Sequence, residues 1–156
     1  DNGEKLTQTA PILLKLVERD GRFGATSEAE RFDILRWLFW DNHKLTGYVA
    51  TYRYSRAFTS SPDPIVLAHF KRRIDDFLGI LDSHLRDKPF AIGDRPTIAD
   101  ISMMAYLSFP KHEAGFDLPA SHPAIVAWLD RMAALPGWKS PYDLLPGKRL
   151  HCYVSA

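Results

Sequence analysis

The stretch PFAIGDRPTIADISMMAY, residues 89–106, decides the fold of this chain. Its centre, Thr97-Ile-Ala-Asp100, has the spacing of a capping box: the threonine hydroxyl accepts from a backbone N–H three residues on, and the carboxylate accepts from the threonine N–H. An apolar helix follows at once, so its first turn must lie in the core, where water cannot satisfy free N–H groups. We predict that Thr97 and Asp100 are structural capping residues. Capping accounts for Asp100 fully, and its replacement should cost about 1 kcal/mol, or somewhat more if it is buried.

The rest of the chain also carries helix signals. Ser27 and Glu30 form a second capping box, followed by apolar residues with a period close to 3.6. Asp63-Pro64 combines a cap with proline at the first helical position. Further helix starts are predicted at Thr9, His122 and Ser140. These signals together predict an all-α helical bundle.

Composition and charge exclude several classes of protein. With 156 residues, 46% of them hydrophobic, the chain is long enough for one globular domain with a core. A formal net charge of +1 argues against nucleic acid or an anionic membrane as the main partner. No apolar run approaches the roughly 20 residues of a membrane helix. The single cysteine, Cys152, cannot form an intramolecular disulfide, which fits a cytoplasmic location, and the six histidines lack metal-site spacing, so we predict no metal.

The stretch at residues 89–106 resembles the helical C-terminal domain of the glutathione S-transferase family, and the resemblance extends through most of the chain. The helix that begins at His122-Pro123 is similar to the family's next helix, and Leu135-Pro-Gly-Trp138 is similar to the end of that helix. The Ser27 helix resembles the long first helix of the family's C-terminal domain. The segment Leu6–Leu16 resembles the last strand and helix of the family's thioredoxin-like N-terminal domain.

The resemblance implies that the chain consists of three parts. Residues 1–22 would be a remnant of the thioredoxin-like, glutathione-binding domain, residues 23–147 the helical domain, and residues 148–156 a loose tail. The strand candidate, about Glu4–Thr7, has no ladder partner within the chain, so it either borrows a sheet edge from another molecule or is not a strand. Because the chain does not begin with Met and most of the thioredoxin-like half is not in it, we expect a fragment of a longer protein.

The resemblance also assigns residues to glutathione. In the family, a glutamine or acidic residue followed by serine or threonine begins the last thioredoxin-like helix and binds the γ-glutamyl end of glutathione, a role that falls here to Gln8 and Thr9. A helix N-terminus suits a carboxylate because it offers free N–H groups and a partial positive charge. The alternative is that Thr9 is only an N-cap. In some bacterial classes a His-Lys pair on the long helix faces the glutathione sulfur; here this pair is His43-Lys44, and the alternative is an ordinary solvated pair.

The second half of the long helix carries an aromatic and basic cluster of residues, Tyr48, Tyr52, Arg53, Tyr54 and Arg56. By the resemblance, this segment faces the cleft that binds the apolar co-substrate, and such clefts are apolar with a few polar groups. The alternative is that Tyr48 and Tyr52, four residues apart, pack into the core with their hydroxyls at its rim. Cys152 lies in the tail with no pattern that would activate its thiol, and we assign it no role.

Two functions follow from the resemblance. In the first, the chain is part of a glutathione transferase that lowers the pKa of bound glutathione, its substrate, and directs the thiolate at small apolar electrophiles in detoxification. The family's thiol-activating residue lies in the part of the thioredoxin-like domain that this sequence does not contain. In the second, the helical domain is a non-catalytic binding or assembly module. The resemblance also implies a homodimer, with the Ser27 helix and the Gln8-Thr9 region near its two-fold axis.

Overall fold

The computed structural model describes Gly3, residues 5–145 and residues 147–154. Within these residues the chain forms α-helices, and no strand occurs among them, so the prediction of an all-α bundle is confirmed. The elements in chain order are α1 (Thr9–Asp20), α2 (Glu28–Trp40), a π-helical segment (Asp41–Leu45), α3 (Thr46–Phe58), α4 (Pro64–Leu85), α5 (Ile98–Leu107), α6 (Lys111–Ala114), α7 (Leu118–Ser121), α8 (Pro123–Ala133) and α9 (Pro141–Leu144).

Two helices begin where the sequence predicts, and for the predicted reason. Ser27 is the N-cap of α2, and its hydroxyl accepts from the Glu30 N–H at 3.1 Å. Asp63 is the N-cap of α4, and its carboxylate accepts from the Ile65 N–H at 2.8 Å, with Pro64 as the first helical residue. In both cases a short polar side chain satisfies N–H groups that the helix leaves free.

Helix α5 is the centre of the bundle, as its apolar sequence predicts. Seven of its ten residues are buried. It contacts α1, α2, α3 and α8, so it is enclosed on most sides. Around it lie side chains with no exposed surface, among them Val49 of α3, Leu78 of α4 and Trp128 of α8. Burying each such side chain stabilises the folded state by about 1.5–3 kcal/mol. Because these side chains pack around α5, the core depends on the start of α5 being formed.

The capping box at that start is present, and Asp100 does more than close it. One carboxylate oxygen accepts from the Thr97 N–H at 2.8 Å and from the Thr97 hydroxyl at 3.0 Å. The other accepts from the Ala91 N–H at 2.8 Å and from the Trp128 indole N–H at 2.9 Å. The Thr97 hydroxyl accepts from the Ala99 N–H, two residues on rather than three. Capping therefore does not account for Asp100 fully: the fully buried carboxylate also fixes the loop before α5 and the core tryptophan of α8.

Helix α1 packs on the edge of the bundle through a smaller cluster. Ile34 and Leu38 of α2 and Ile98 of α5 form the buried centre of this cluster, and the α1 residues packed against it are Ala10, Leu13, Leu14 and Val17. None of the residues of α1 is buried by the rest of the chain. The helix is thus held on one side, and its other side is open.

The two ends of the chain contain the strand candidate and the predicted loose tail. The strand candidate at about Glu4–Thr7 forms no strand over its described part, and Glu4 itself lies outside the described residues. Pro146, a predicted stop signal for the last helix, also lies outside them. In the predicted loose tail, the Tyr153 N–H donates to the carbonyl of Ala57 at 2.8 Å, so this segment returns to the end of α3. Among the described residues, none of the helices has the length and hydropathy that crossing a membrane requires.

Candidate functional site

The start of α1 is displaced by one residue from its predicted position. Gln8 is the N-cap, and Thr9 is the first helical residue, so Thr9 is not the N-cap. The Gln8 carbonyl accepts from the Ile12 N–H at 3.2 Å, but the Gln8 side chain makes no capping hydrogen bond. Pro11 has no N–H. The N–H groups of Thr9 and Ala10 are therefore the two donors that this helix start leaves without a partner among the described residues.

The backbone of Gln8 is strained. Its φ of 70° lies in the left-handed region that favours glycine, where a residue with a Cβ costs about 1–3 kcal/mol. Phe23 is the other non-glycine residue in this region among the described residues, with a φ of 62°. The Phe23 carbonyl accepts from the Ile98 N–H at 2.9 Å, so its conformation serves the first turn of α5. The Gln8 carbonyl accepts only the first bond of its own helix, from the Ile12 N–H, and its side chain is exposed, so packing against another segment does not account for its φ.

The exposed start of α1 combines the groups that bind an α-amino acid. The free N–H groups of Thr9 and Ala10 and the positive end of the helix dipole favour a carboxylate. The Thr9 hydroxyl adds a donor or acceptor, and the Gln8 amide supplies both. This arrangement can therefore hold one carboxylate and one neighbouring ammonium group, and it has no group that could perform chemistry on them.

The predicted thiol-facing pair lies in a break of the long helix. This break precedes Gly47, where the sequence predicts a weak point. The periodicity predicts one helix from Ser27 that is weakened or bent at Gly47 and ends before Ser60-Ser61-Pro62. Instead α2 ends at Trp40, and Asp41–Leu45 form a π-helix. His43 in this segment is exposed, and Lys44 is half-buried with its ammonium 5.8 Å from the centre of the Phe77 ring. The break presents two basic side chains on consecutive residues, and π-helical turns are frequent at functional sites.

The first residue of this break, Asp41, is a buried carboxylate that the sequence does not predict. Asp41 is 1% exposed, and it accepts from the Thr46 hydroxyl at 2.7 Å and from the Ser102 hydroxyl. The wider π turn brings residues five apart into register, so the Thr46 N–H also donates to the Asp41 carbonyl. Burial raises the pKa of Asp41, and the hydrogen bonds from the two hydroxyls partly oppose this shift.

Leu38 of α2 links the cluster under α1 to the π-helical segment. Ala10, in the first turn of α1, packs against the cluster that contains Leu38. The Asn42 amide, within the π-helical segment, donates to the Leu38 carbonyl at 2.8 Å. Leu38 thus contributes its side chain to the cluster on which α1 packs and its carbonyl to the π-helical segment.

The two tyrosines of the predicted co-substrate site pack against the bundle. The Tyr48 ring meets the rings of Phe70 and Phe77 edge-on, with centroids 5.7 Å and 5.4 Å apart. Tyr52 is buried at 6% exposure. This is the packing that the alternative interpretation describes, although Tyr48 remains half-buried and within reach of a ligand.

The two arginines of that predicted site hold the short helix α6. The Arg53 guanidinium pairs with Glu113 through Nε at 3.0 Å and donates to the Tyr142 hydroxyl at 2.8 Å. Arg56 donates to the carbonyls of His112 and Glu113. Because Glu113 and Tyr142 lie 60 and 89 residues from Arg53 in the chain, no local pattern could have predicted this network. Of the residues predicted to line one cleft, Arg53 and Arg56 therefore bind α6, Tyr52 lies beside Gly115 just after α6, and Tyr48 packs on α4.

An apolar cavity lies away from Tyr48, Tyr52, Arg53 and Arg56. It has a volume of about 480 Å³ between α5 and the segment around α9. Its walls include Ile101, Met104, Phe109, Trp138 and Leu144. Among the described residues no three His, Cys, Asp or Glu side chains cluster closely enough to hold a metal ion.

Comparison with known protein families gives one match that covers more than half of the chain. A family model described as "Glutathione S-transferase, C-terminal domain" matches residues 54–140. The matched range runs from the second half of α3 to the residue before α9 and contains the capping box of α5.

Individual proteins give matches that extend over nearly the whole chain. The disulfide-bond oxidoreductase YfcG of Escherichia coli K12 is 26% identical over 138 residues, which are 87% of this chain and 63% of that protein. The chain therefore spans less than two thirds of the length of this relative.

Solved structures of similar proteins agree with these matches. A glutathione S-transferase from Xanthobacter autotrophicus Py2 is 33% identical with a TM-score of 0.80, over 92% of this chain and 70% of that one. The glutathione transferase YghU from Streptococcus pneumoniae ATCC 700669, solved in complex with glutathione, is 26% identical with a TM-score of 0.75, over 84% of this chain and 52% of that one.

Proposed function

Because this chain belongs to the glutathione S-transferase family, we propose that it binds glutathione at the start of α1. The γ-glutamyl carboxylate would accept from the N–H groups of Thr9 and Ala10 and from the Thr9 hydroxyl, and the Gln8 amide would accept from the α-ammonium group. The observation that carries this proposal is the strained backbone of Gln8, because packing does not account for it. A backbone strain that packing does not explain is a reason to look for a functional role of the residue.

The proposed reaction is conjugation of glutathione to small apolar electrophiles. The thiolate of glutathione would form a C–S bond to the electrophile, and the leaving group would depart with the displaced electron pair. His43 and Lys44 would face the sulfur, since a positive or hydrogen-bonding group beside a thiol favours the thiolate. Of the four residues predicted for the co-substrate, Tyr48 is the one we propose as a border of its site, because Tyr52 is buried and Arg53 and Arg56 hold α6.

A second candidate reaction is thiol–disulfide exchange, which the name of the Escherichia coli relative favours. In this reaction the glutathione thiolate would attack a disulfide sulfur and release the other half as a thiolate. The same α1 site would serve both reactions, and only the electrophilic atom would differ. A third candidate, a non-catalytic binding or assembly module, would keep the fold and lack turnover.

We also propose that the protein is a cytoplasmic homodimer that acts in detoxification. The support for self-association is the exposed apolar surface of α2, where Phe32 and Phe39 lie seven residues apart on one face with 59% and 72% of their surface exposed. Residues seven apart share a helix face. Replacing Phe39 with Glu should shift the mass measured by light scattering from dimer to monomer; a wild-type protein that is monomeric over a wide concentration range would contradict the proposal.

The test of the proposed site is calorimetric titration with glutathione. We expect Thr9→Val and Gln8→Ala to weaken binding by about tenfold each, because each removes hydrogen bonds to a charged group. Thr7→Val, on an exposed threonine just before the helix, is the matched control and should leave the affinity unchanged. Equal affinities for all four proteins would exclude this site.

The choice between the reactions needs a separate assay. We expect glutathione-dependent turnover of 1-chloro-2,4-dinitrobenzene, an aryl electrophile, to exceed that of hydroxyethyl disulfide. The reverse order would favour disulfide exchange. Glutathione binding without turnover of either compound would favour the non-catalytic module.

A further inference from the structure

Contacts from three sides hold the π-helical segment in shape. Within the long helix, the Asp41 carboxylate accepts from the hydroxyl of Thr46, five residues on. From α5, the Ser102 hydroxyl donates to the other oxygen of the same carboxylate. The last residue of the segment, Leu45, is buried in the main core. The wide turn is therefore set by its side chains and by a neighbouring helix, and is more than a local irregularity of the backbone.

The residues on either side of the turn also fit its width. A Cβ at Gly47 would lie 3.0 Å from the carbonyl oxygen of Asn42, the residue five positions earlier, so this position favours glycine. The Asn42 side chain donates to the Leu38 carbonyl at 2.8 Å and so gives a partner to an acceptor near the end of α2. The sequence around the segment is thus suited to a π turn.

The stability of the fold does not account for a carboxylate at position 41. The partners of this side chain within the described part of the chain are hydroxyl groups, and no cation pairs with it. Burying a carboxylate without a cation is costly, and an apolar side chain would avoid this cost. An apolar side chain could not accept hydrogen bonds from two different helices, which is what fixes the turn.

The turn presents two basic side chains that have no carboxylate partner. His43 is exposed, the Lys44 ammonium lies near the Phe77 ring, and neither forms an ion pair with another described residue. Successive residues of an α-helix are rotated by about 100°, since one turn has 3.6 residues. A return of the segment to α-helical winding would therefore redirect His43 and Lys44.

From these contacts we infer that Asp41 is a positioning residue for the thiol-facing pair. Its carboxylate, through the hydroxyls of Thr46 and Ser102, keeps the turn in the geometry that directs His43 and Lys44 at the sulfur of bound glutathione. The inference rests on the function proposed above and adds to it a residue that touches neither glutathione nor the reacting atoms. Asp41 acts through the geometry of the turn and not through its charge.

The test is the pKa of the glutathione thiol in the complex, measured from the ultraviolet absorbance of the thiolate. We expect Ser102→Ala and Thr46→Val each to raise this pKa and to lower the thiolate fraction at neutral pH about tenfold, because the groups that favour the thiolate are displaced. The affinity for S-methylglutathione, which has no thiol, should be unchanged, since the γ-glutamyl end binds at α1.

Each of these variants has a matched control on its own helix. The Ser108 hydroxyl of α5 donates to the Met104 carbonyl, and the Thr51 hydroxyl of α3 donates to the Gly47 carbonyl, so neither contacts Asp41. Ser108→Ala and Thr51→Val should leave the thiol pKa as in the wild type. Equal shifts in the variants and in their controls would overturn the inference.

Two replacements of Asp41 separate geometry from charge. Asp41→Asn keeps an oxygen that accepts from Thr46 and gains an amide that donates to the Ser102 oxygen, so the thiolate fraction should stay within about threefold of the wild type. Asp41→Leu loses both hydrogen bonds and should lower it at least about tenfold. Hydrogen exchange of the Thr46 amide, which donates to the carbonyl of residue 41, should also accelerate in this variant. An equal loss from Asp41→Asn and Asp41→Leu would overturn the inference.

A double-variant cycle separates a positioning role from a purely structural one. When His43 and Lys44 are both replaced with Ala, adding Ser102→Ala should have no further effect on the thiol pKa, because the side chains that the turn directs are absent. Additive effects would overturn the inference and leave the proposed function intact. An unchanged thiol pKa after replacement of His43 and Lys44 alone would overturn both the role proposed for this pair and the inference, and a wild-type protein that does not bind S-methylglutathione would overturn the proposed site at α1 and the inference with it.

Discussion

Helices α5 and α1 begin with the same chemical problem and solve it in opposite ways. Each leaves backbone N–H groups without a partner in its first turn. At α5 the side chains of Thr97 and Asp100 satisfy these groups, and both residues are fully buried. At α1 the side chain of the N-cap residue Gln8 makes no capping hydrogen bond, its backbone is strained, and the N–H groups of Thr9 and Ala10 have no partner among the described residues.

A capped and an uncapped helix start differ in stability and in the groups that they leave for a ligand. A closed start, in which all donors are satisfied, stabilises the core and has nothing left to bind a ligand. An open start is less stable than a capped one by about 1 kcal/mol, and it keeps donors and a positive dipole end for an anion. The bundle thus has one helix start that is capped in the core and one that we propose binds glutathione.

The largest expected effect is at the closed start. Asp100→Ala should lower the free energy of unfolding by about 4 kcal/mol, because the N–H groups of Ala91, Thr97 and Trp128 lose their acceptor in the core and each buried unpaired donor costs about 1–3 kcal/mol. Urea unfolding, followed by tryptophan fluorescence, measures the change. If Asp100 acted only as a capping residue, the loss of unfolding free energy would be about 1 kcal/mol instead.

The matched control for this variant is the exposed capping box of α9. Asp143 accepts from the Ser140 N–H at 3.3 Å and from its hydroxyl at 2.8 Å, the same arrangement without burial. Asp143→Ala should cost about 0.5 kcal/mol, the low end for a capping residue. Similar losses from both variants would mean that the contacts of Asp100 outside the capping box contribute nothing.

At the open start, the expected effects on stability and binding have opposite signs. Gln8→Gly relieves a backbone strain of about 1–3 kcal/mol and adds about 0.5–1 kcal/mol of chain entropy to the unfolded state, so we expect a gain of about 1 kcal/mol in unfolding free energy. The loss of the amide should weaken glutathione binding about tenfold. Thermal unfolding and calorimetry measure the two effects on the same sample.

Phe23→Gly is the matched control, since Phe23 also has a positive φ. Its ring packs against the cluster of Ile34, Leu38 and Ile98, so this variant should be destabilised despite the relief of strain. A Gln8→Gly protein that is destabilised as well would mean that Gln8 has a structural role, and the account of α1 as an open start would be wrong.

The smallest expected effect concerns Asp41, a buried carboxylate that accepts hydrogen bonds from the hydroxyls of Thr46 and Ser102. Burial raises its pKa in the folded state, so the folded protein retains a proton that the unfolded chain has already lost. Stability should therefore fall as the pH rises from about 4, the unfolded value, through the raised folded pKa. Asp41→Asn cannot ionise and should lack this fall; urea unfolding at a series of pH values compares the two proteins. Parallel pH profiles would contradict the burial effect.

The sequence predicts the closed start well because all its signals are local. Thr97 and Asp100 lie three residues apart, and the apolar run after them indicates burial. Ser27 and Asp63 are recognisable for the same reason. The additional partners of Asp100 at Ala91 and Trp128 are not, since they depend on how distant segments pack.

The open start and the networks around it could be predicted only in part. The family resemblance points to Gln8 and Thr9, but the one-residue displacement and the positive φ of Gln8 have no signal in residue type, because glutamine rarely adopts that conformation. The π-helical break at Asp41 depends on a hydroxyl from α5, 61 residues away. Long-range partners of this kind are set by tertiary packing and not by spacing.

The most direct test of an open helix start that binds ligand is to observe its two free donors. Titration of ¹⁵N-labelled protein with S-methylglutathione should shift the amide resonances of Thr9 and Ala10 first and most, with little change at the capped amides of Ala99 and Ile65. Cysteinylglycine, which lacks the γ-glutamyl group, should leave all four unchanged. Shifts at Thr9 and Ala10 that are equal for both ligands, or no shift there at saturating S-methylglutathione, would contradict the account.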